Sequence, residues 1–405
     1  MCVFIGGLKY SLIPAPRRGI VFAKQERLIM ARMGRAAILD QARGQFAIGE
    51  APVPEPGPGE VLVRQTMCGL CGTDVHIFHG HFPNTRFPLV LGHEIIGRVE
   101  RLGKGVSADS MGEPVAEGDL VAVVPGVACG TCYFCAVLRE PGLCVQGVAY
   151  GFRPALDQAP HFQGGFSEYV LLDYPRSTFL KMHVAPEIAV LLEPFTVGLH
   201  FADRANLRIG ASVVIQGAGA IGIFSLAAAR EAGAHQTIVV GAPASRLELA
   251  RQFGADLTID IEKVSDPAER IALVKAATPG GYGADAVFEC TGVPQSIPEG
   301  IQMLRRGGTY VEGGHFTNAG DITLNPHYHF VRNHITLVGV WGSSLSHFVR
   351  GRPILESGRY PFDQLVSHRL PLERLGEGIQ ALSTNYRLDG NEVRKIAILA
   401  HPQAS

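Results

Sequence analysis

The sequence predicts an α/β protein in which a β-rich domain precedes a doubly wound parallel-sheet domain. Three observations carry this. From Gly34 to about Glu193, apolar runs such as EVLVRQT, HEIIGRVERLG, DLVAVVP and FSEYVLL are broken by glycine and proline, the spacing of antiparallel strands or a partial barrel. From about Thr196, SVVIQ, FSLAAAREAG, TIVVG, SRLELARQFG, DAVFECTG, GIQMLRRGG, TYVEGG and ITLVGVWG alternate strand with helix, as βαβ units of a parallel sheet do. Between the first such strand and its helix lies the run Gly217-Ala218-Gly219-Ala220-Ile221-Gly222.

Composition sets the outer bounds. At 405 residues the chain is longer than one domain of roughly 100–200 residues. With 46% apolar and 18% charged residues it is too hydrophobic for intrinsic disorder. The 36 basic residues balance 37 acidic ones, a net charge of −1, so no nucleic-acid partner is expected. The longest uncharged stretch, Ile209 to Ala229, has the roughly 20 residues of a membrane span, yet Gln216 and four glycines interrupt it. It reads as strand, turn and helix start, and no membrane partner is expected.

Residues 1–33 read as a flexible extension, with Lys9, Arg17, Arg18, Lys24, Arg27 and Arg32 against Glu26 alone, no sustained period and no apolar core of a signal peptide. The β-rich domain is expected over 34–195 and the parallel-sheet domain over 196–342. Residues 343–405 return to mixed short elements, and no internal repeat is evident.

The glycine run is a dinucleotide-binding signature in this context. Gly217 permits the tight turn, Gly219 lets a pyrophosphate approach the backbone, and Gly222 lets helix and strand pack closely. Ala220, Ile221 and Gly222 open the helix whose free N–H groups face the phosphates. An acidic residue expected at the end of the next strand would bind the adenosine ribose, but Gly241 stands there. Ser245 and Arg246 follow, and Arg246 is either a 2′-phosphate contact or a solvent-facing helix residue.

Cysteines cluster. There are eight: Cys2, Cys68, Cys71, Cys129, Cys132, Cys135, Cys144 and Cys290. With no signal peptide ahead of them, they point to a reducing cytoplasmic setting and to metal rather than disulfides. Cys129, Cys132, Cys135 and Cys144 have the spacing of a closed structural zinc site, with an iron–sulfur cluster or redox thiols as alternatives. A second, dispersed set comprises Cys71, His93, Glu94 and Glu193, with Thr73, Asp74 and His76 just behind the cysteine. Cysteine, histidine and carboxylate ligands with one position open to substrate make a Lewis-acid zinc site.

Six ordered motifs now stand together: CGLCGTDVH, LGHEIIGRVERLG, CGTCYFC, GGFSEYVLL, LLEPFTVGLH and VVIQGAGAIG. In this order they resemble the zinc-dependent medium-chain alcohol dehydrogenases, including sorbitol and threonine dehydrogenases, from about Gly34 to the C-terminus. The resemblance implies a GroES-like catalytic domain closed by the C-terminal residues, a Rossmann cofactor domain, two zinc ions per chain, NAD or NADP, an alcohol or ketone substrate, and a homodimer or homotetramer. It selects Cys71 over Cys68 as the catalytic-zinc cysteine, leaving Cys68 as a buried thiol. His93 and Glu94 match the family's G-H-E motif. Glu193 stands where classical members have cysteine and sorbitol-type members glutamate, a ligand direct or through water. Asp74 would orient His93 through its second ring nitrogen. Thr73 would receive the alcohol proton and pass it by way of the cofactor ribose to His76, while hydride moves to the nicotinamide. Phe78 and Phe82 are candidates for an apolar pocket wall, and Cys290 for core packing. The competing readings are a zinc-free double-bond reductase and a non-enzymatic zinc-binding protein.

Overall fold

A computed structural model describes residues 32–82, 85–152 and 161–401. The N-terminal extension therefore lies outside the described residues, apart from Arg32 and Met33 at its end. Met33 opens the first strand, Met33–Leu39, which pairs antiparallel with Phe46–Pro52 and Leu89–Val90 in a three-stranded sheet.

A seven-stranded sheet forms the main β-rich layer. Its path runs Thr178–Lys181, Leu120–Val124, Glu94–Leu102, Val61–Leu70, Lys395–Leu399 and Val366–Pro371, with Tyr169–Leu172 pairing off Val61–Leu70. Lys395–Leu399 lies antiparallel to Val61–Leu70 and parallel to Val366–Pro371, so chain from beyond residue 343 completes the sheet begun near the other end.

The second sheet is parallel and six-stranded, in the order Leu257–Asp260, Gln236–Gly241, Ser212–Gln216, Ala284–Glu289, Leu304–Glu312 and Thr336–Gly339. This is the doubly wound order whose switch point falls between Ser212–Gln216 and Ala284–Glu289, where such sheets bind ligands beyond their carboxyl ends. Strand Ser212–Gln216 is buried at every position, as expected when helices cover both faces.

No linker separates the two parts. Helix Leu192–Ala205 runs across the 195/196 boundary expected from pattern, and it buries Leu192, Phe195, Leu199 and Phe201 in one apolar cluster. That cluster reaches from Met67 and Ile96 of the antiparallel sheet to Val213, Ile215 and Phe224 of the parallel domain. Helix Leu345–Glu356 packs on the same helix at Gly351, where an added Cβ would sit 3.2 Å from Leu192 and Leu199. Among the described residues, no helix is long and apolar enough to cross a membrane.

Candidate metal centres and dinucleotide site

Helix Gly72–Phe78 starts at Cys71, and Asp74 in its first turn accepts a hydrogen bond from the Cys71 amide at 2.9 Å. The same carboxylate accepts from the Gly92 amide at 3.3 Å and faces His93 Nδ1 at 3.7 Å, so one buried side chain ties the cysteine loop to the start of strand Glu94–Leu102. Cys71, His93 and Glu94 thereby bring ligand atoms within 4.8 Å of one another.

Charge at this point is concentrated. Glu94 is fully buried and its Oε1 accepts from Lys395 Nζ, itself buried in strand Lys395–Leu399. Burial opposes the lysine's charge, but Glu94 holds its pKa above the ordinary value. Burial likewise opposes a charged His93, and Asp74 more than offsets it, holding the imidazole well above its usual pKa. Glu193, in the first turn of helix Leu192–Ala205, is not among the three converging ligands; burial lifts its carboxyl to about 7, with His93 and Lys395 pulling the other way.

These residues fit a zinc ion. Glu94 Oε2 is buried without a hydrogen-bond partner. Glu94 Oε2 lies where a Cβ on residue 69 would stand, 1.8 Å away, so only Gly69 leaves room for it. With a thiol, an imidazole and a carboxylate facing one point, the donor set is that of a catalytic zinc site.

The second set is closed. Cys132 Sγ lies 3.5 Å from Cys135 Sγ and 3.9 Å from Cys144 Sγ, and all four sulfurs lie within 4.8 Å. Four thiolates at 2.3 Å around a tetrahedral ion stand about 3.8 Å apart, so the spacing fits zinc and no disulfide joins them. The Thr131 and Cys132 amides lower Cys129 to about 6, while desolvation lifts Cys135 to about 12. Cys68 and Cys290 lie apart from both sets: Cys68 is in the core and Cys290 follows strand Ala284–Glu289, 3.7 Å from Ser225 Oγ.

Thr73 is buried with its Oγ1 3.6 Å from Cys71 Sγ. His76, on the same helix, is partly buried, and Thr317 Oγ1 stands 3.2 Å from its Nδ1. Desolvation, aided by His81 and His79, keeps His76 below its usual pKa. Thr317 lies in the segment after strand Leu304–Glu312, and the sequence offers no local signal for that contact.

On the parallel sheet, Gly217 has φ +106°, in the left-handed region that favours glycine. A Cβ at Gly222 would meet Gly217 O at 1.9 Å, whereas one at Gly219 would meet nothing within 4 Å, leaving that backbone open. Ala220 and Ile221 start helix Ala220–Glu231. Gly241 ends its strand against the loop: a Cβ there would lie 2.8 Å from Ala218 N. Arg246 does not project into solvent. Its Nε donates to Glu392 Oε1 at 2.8 Å, Nη2 donates to Val393 O at 3.0 Å, and its guanidinium lies 4.9 Å from the Tyr386 ring centroid. Ser245 Oγ donates to Glu392 Oε2 at 2.6 Å, so Glu392 holds both candidates for a 2′-phosphate contact.

Phe82 lies in an aromatic group with Phe152, Phe316 and Trp341, but Phe78 stacks on Phe46 instead, 6.0 Å between centroids. A surface cavity of about 910 Å³ between Lys275, Tyr282, Arg305 and Tyr328 contains none of these metal-ligating groups. Convergent chemistry, rather than empty volume, marks the site.

Residues 57–183 match the alcohol dehydrogenase GroES-like domain and residues 220–353 the zinc-binding dehydrogenase domain. The chain is 31% identical to 5-exo-hydroxycamphor dehydrogenase of Pseudomonas putida, over 85% of this chain and 94% of that protein. It is 32% identical to sorbitol dehydrogenase of Gallus gallus, over 90% and 97%. An alcohol dehydrogenase structure from Thermotoga maritima superposes with a TM-score of 0.83 at 30% identity, covering 91% of this chain and 99% of that one. A zinc-binding dehydrogenase of Sinorhizobium meliloti, solved with NADP, gives 0.76 at 30% identity, with 91% and 99% covered. The chain belongs to the zinc-dependent medium-chain alcohol dehydrogenase family, oxidoreductases that act on CH–OH groups with NAD(P).

Proposed function

We propose that this chain interconverts a secondary alcohol and its ketone, with Cys71, His93 and Glu94 as the catalytic-zinc ligands, Glu193 as the neighbouring carboxylate, and Cys129, Cys132, Cys135 and Cys144 as the structural-zinc ligands. One observation carries the reading: the ligand atoms of Cys71, His93 and Glu94 converge within 4.8 Å beside Thr73. When bound, zinc supplies positive charge that eases removal of the alcohol proton, and the nicotinamide supplies the hydride acceptor.

The chain's own groups do the rest. Asp74 holds the His93 ring from its Nδ1 side, leaving the other nitrogen to the ligand point. Lys395 balances the Glu94 carboxylate, so three anionic or polar ligands do not repel one another unopposed. The Thr73 hydroxyl stands beside Cys71, placed to take the alcohol proton. His76 lies three residues on along the same helix, next to Thr73 on the helix surface. Held below its ordinary pKa, it is neutral at pH 7 and has a lone pair to accept that proton on its way to solvent. Gly217, Gly219, Ala220, Ile221 and Gly222 form the pyrophosphate seat, with Gly241 and Arg246 near the adenosine ribose.

The subunit is a homodimer or homotetramer in which strand Thr336–Gly339, the edge of the parallel sheet, is one contact. Leu337 is exposed there, 46%, and an apolar edge strand is a pairing surface unless covered.

Metal analysis tests the site. The parent is expected to hold two zinc ions per chain, and Cys71→Ala one, with kcat reduced at least about 1,000-fold and the melting temperature little changed. A variant that keeps both metals and its activity would remove Cys71 from the site.

A further inference from the structure

We propose that the substrate is an apolar, ring-bearing secondary alcohol rather than a polyol, selected by a wall of four aromatic side chains: Phe82, Phe152, Phe316 and Trp341. This rests on the dehydrogenase reading above and names the substrate class of that same site.

The wall begins at the metal ligands. Phe152 meets His93 edge-on, 5.3 Å between centroids and 79° between planes. Phe82 meets Phe152 edge-on at 5.9 Å and lies nearly parallel to Phe316 at 5.8 Å. Phe316 stacks on Trp341 at 4.8 Å, and Trp341 closes back on Phe82 at 6.4 Å. Phe316 is also 5.8 Å from the His76 ring, and its neighbour Thr317 contacts His76. An aromatic surface thus runs from His93, past the proton-accepting His76, to Trp341.

Its exposure is graded. Phe82 is 5% exposed, whereas Trp341 is 52% exposed, a large apolar side chain left open beside a candidate active site. Faces of this kind favour a flat or rigid hydrocarbon, which gains contact area without leaving polar groups unpaired. A polyol lying on them would bring several hydroxyls whose water is lost and not replaced by partners. Discrimination from apolar contact alone runs at about 10–200-fold per methylene, so a ring of five or six carbons has enough area to separate the classes.

Steady-state kinetics on the zinc-loaded protein, with NAD and with NADP, test this using cyclohexanol and 1-phenylethanol against sorbitol and 2,3-butanediol. The expected result is a kcat/KM at least about 100-fold higher for the ring alcohols, with Trp341→Ala and Phe152→Ala each cutting that ratio at least tenfold at unchanged zinc content. Trp341 is the one tryptophan of the chain, so its fluorescence reports occupancy without turnover. Added 1-phenylethanol should change the emission saturably, and sorbitol should not. Equal or better use of sorbitol or butanediol overturns the proposal while leaving the dehydrogenase reading intact. No oxidation of any of the four alcohols by a two-zinc protein overturns both.

Discussion

Gly241 shows how one residue carries two meanings. Its missing carboxylate removes both a ribose acceptor and a source of repulsion toward a 2′-phosphate, so the enzyme is expected to accept NADP as well as NAD. Its missing Cβ matters independently, because a side chain there would press on the Ala218 amide at 2.8 Å. Gly241→Ala should raise KM for both cofactors by a similar factor, and Gly241→Asp should add a further shift toward NAD. Parallel KM measurements separate the effects; equal NAD/NADP ratios in the two variants would mean that another group discriminates. His347 gives a pH prediction. Burial, with His200 next, pushes it down to about 4, although Asp203 lies 3.3 Å away. Unfolded, it titrates near 6.5, so from about pH 6.5 down to 4 the unfolded chain takes up a proton that the native one refuses. Stability therefore falls with pH across that window, by at most about 1.4 kcal/mol per pH unit from this proton. Urea unfolding at pH 7, 6 and 5 should show a shallower loss in His347→Gln; the same slope as the parent would exclude His347 as the cause. At this scale the ligand types are legible in sequence, since short-range motifs name them. Lys395 and Thr317 are not, because their partners Glu94 and His76 lie far away in the chain.

Local elements are legible where their periodicity is undiluted. The parallel strands read as apolar runs because helices bury both faces, and SVVIQ and TIVVG coincide with Ser212–Gln216 and Gln236–Gly241. Helix Leu192–Ala205 shows the limit: the change of pattern near residue 196 reflects a change of packing partner, while the helix itself continues. The run GIQMLRRGG conceals another junction, as helix Ser296–Met303 gives way to strand Leu304–Glu312 with no turn residue between them. The cysteine loop has little apolar core of its own; helix Tyr133–Ala136 buries none of its residues, so the proposed zinc would add cohesion that packing does not supply. Cys144→Ser is expected to lose one zinc and lower the melting temperature by about 4–8 °C, the shift that roughly 2 kcal/mol produces in domains of 150–250 residues. An unchanged melt would refute the structural role.

For the whole molecule, sheet order is the part that sequence does not reveal. Nothing local tells Lys395–Leu399 to enter between Val61–Leu70 and Val366–Pro371, and the exposed rim of the parallel sheet becomes visible only once that sheet's order is known. Leu337→Glu on that rim is expected to convert the proposed oligomer to monomer on a sizing column with its fold intact; an unchanged elution volume would exclude this strand as the contact. The inserted strand also bears on biosynthesis. Gln65 Nε2 donates to Ile398 O across 333 residues, a span that a ribosome making about 5–20 residues per second takes roughly 17–67 s to produce. Tyr169–Leu172 covers Val61–Arg64 early, but Cys68–Leu70 stay an unguarded stretch of edge until Ile396–Ile398 arrive, and Glu94 waits without its lysine. The convergence of Glu94 with Lys395 is therefore a late product of translation, and a nascent chain stalled before residue 395 has made Cys71, His93 and Glu94 without the cation that balances the carboxylate.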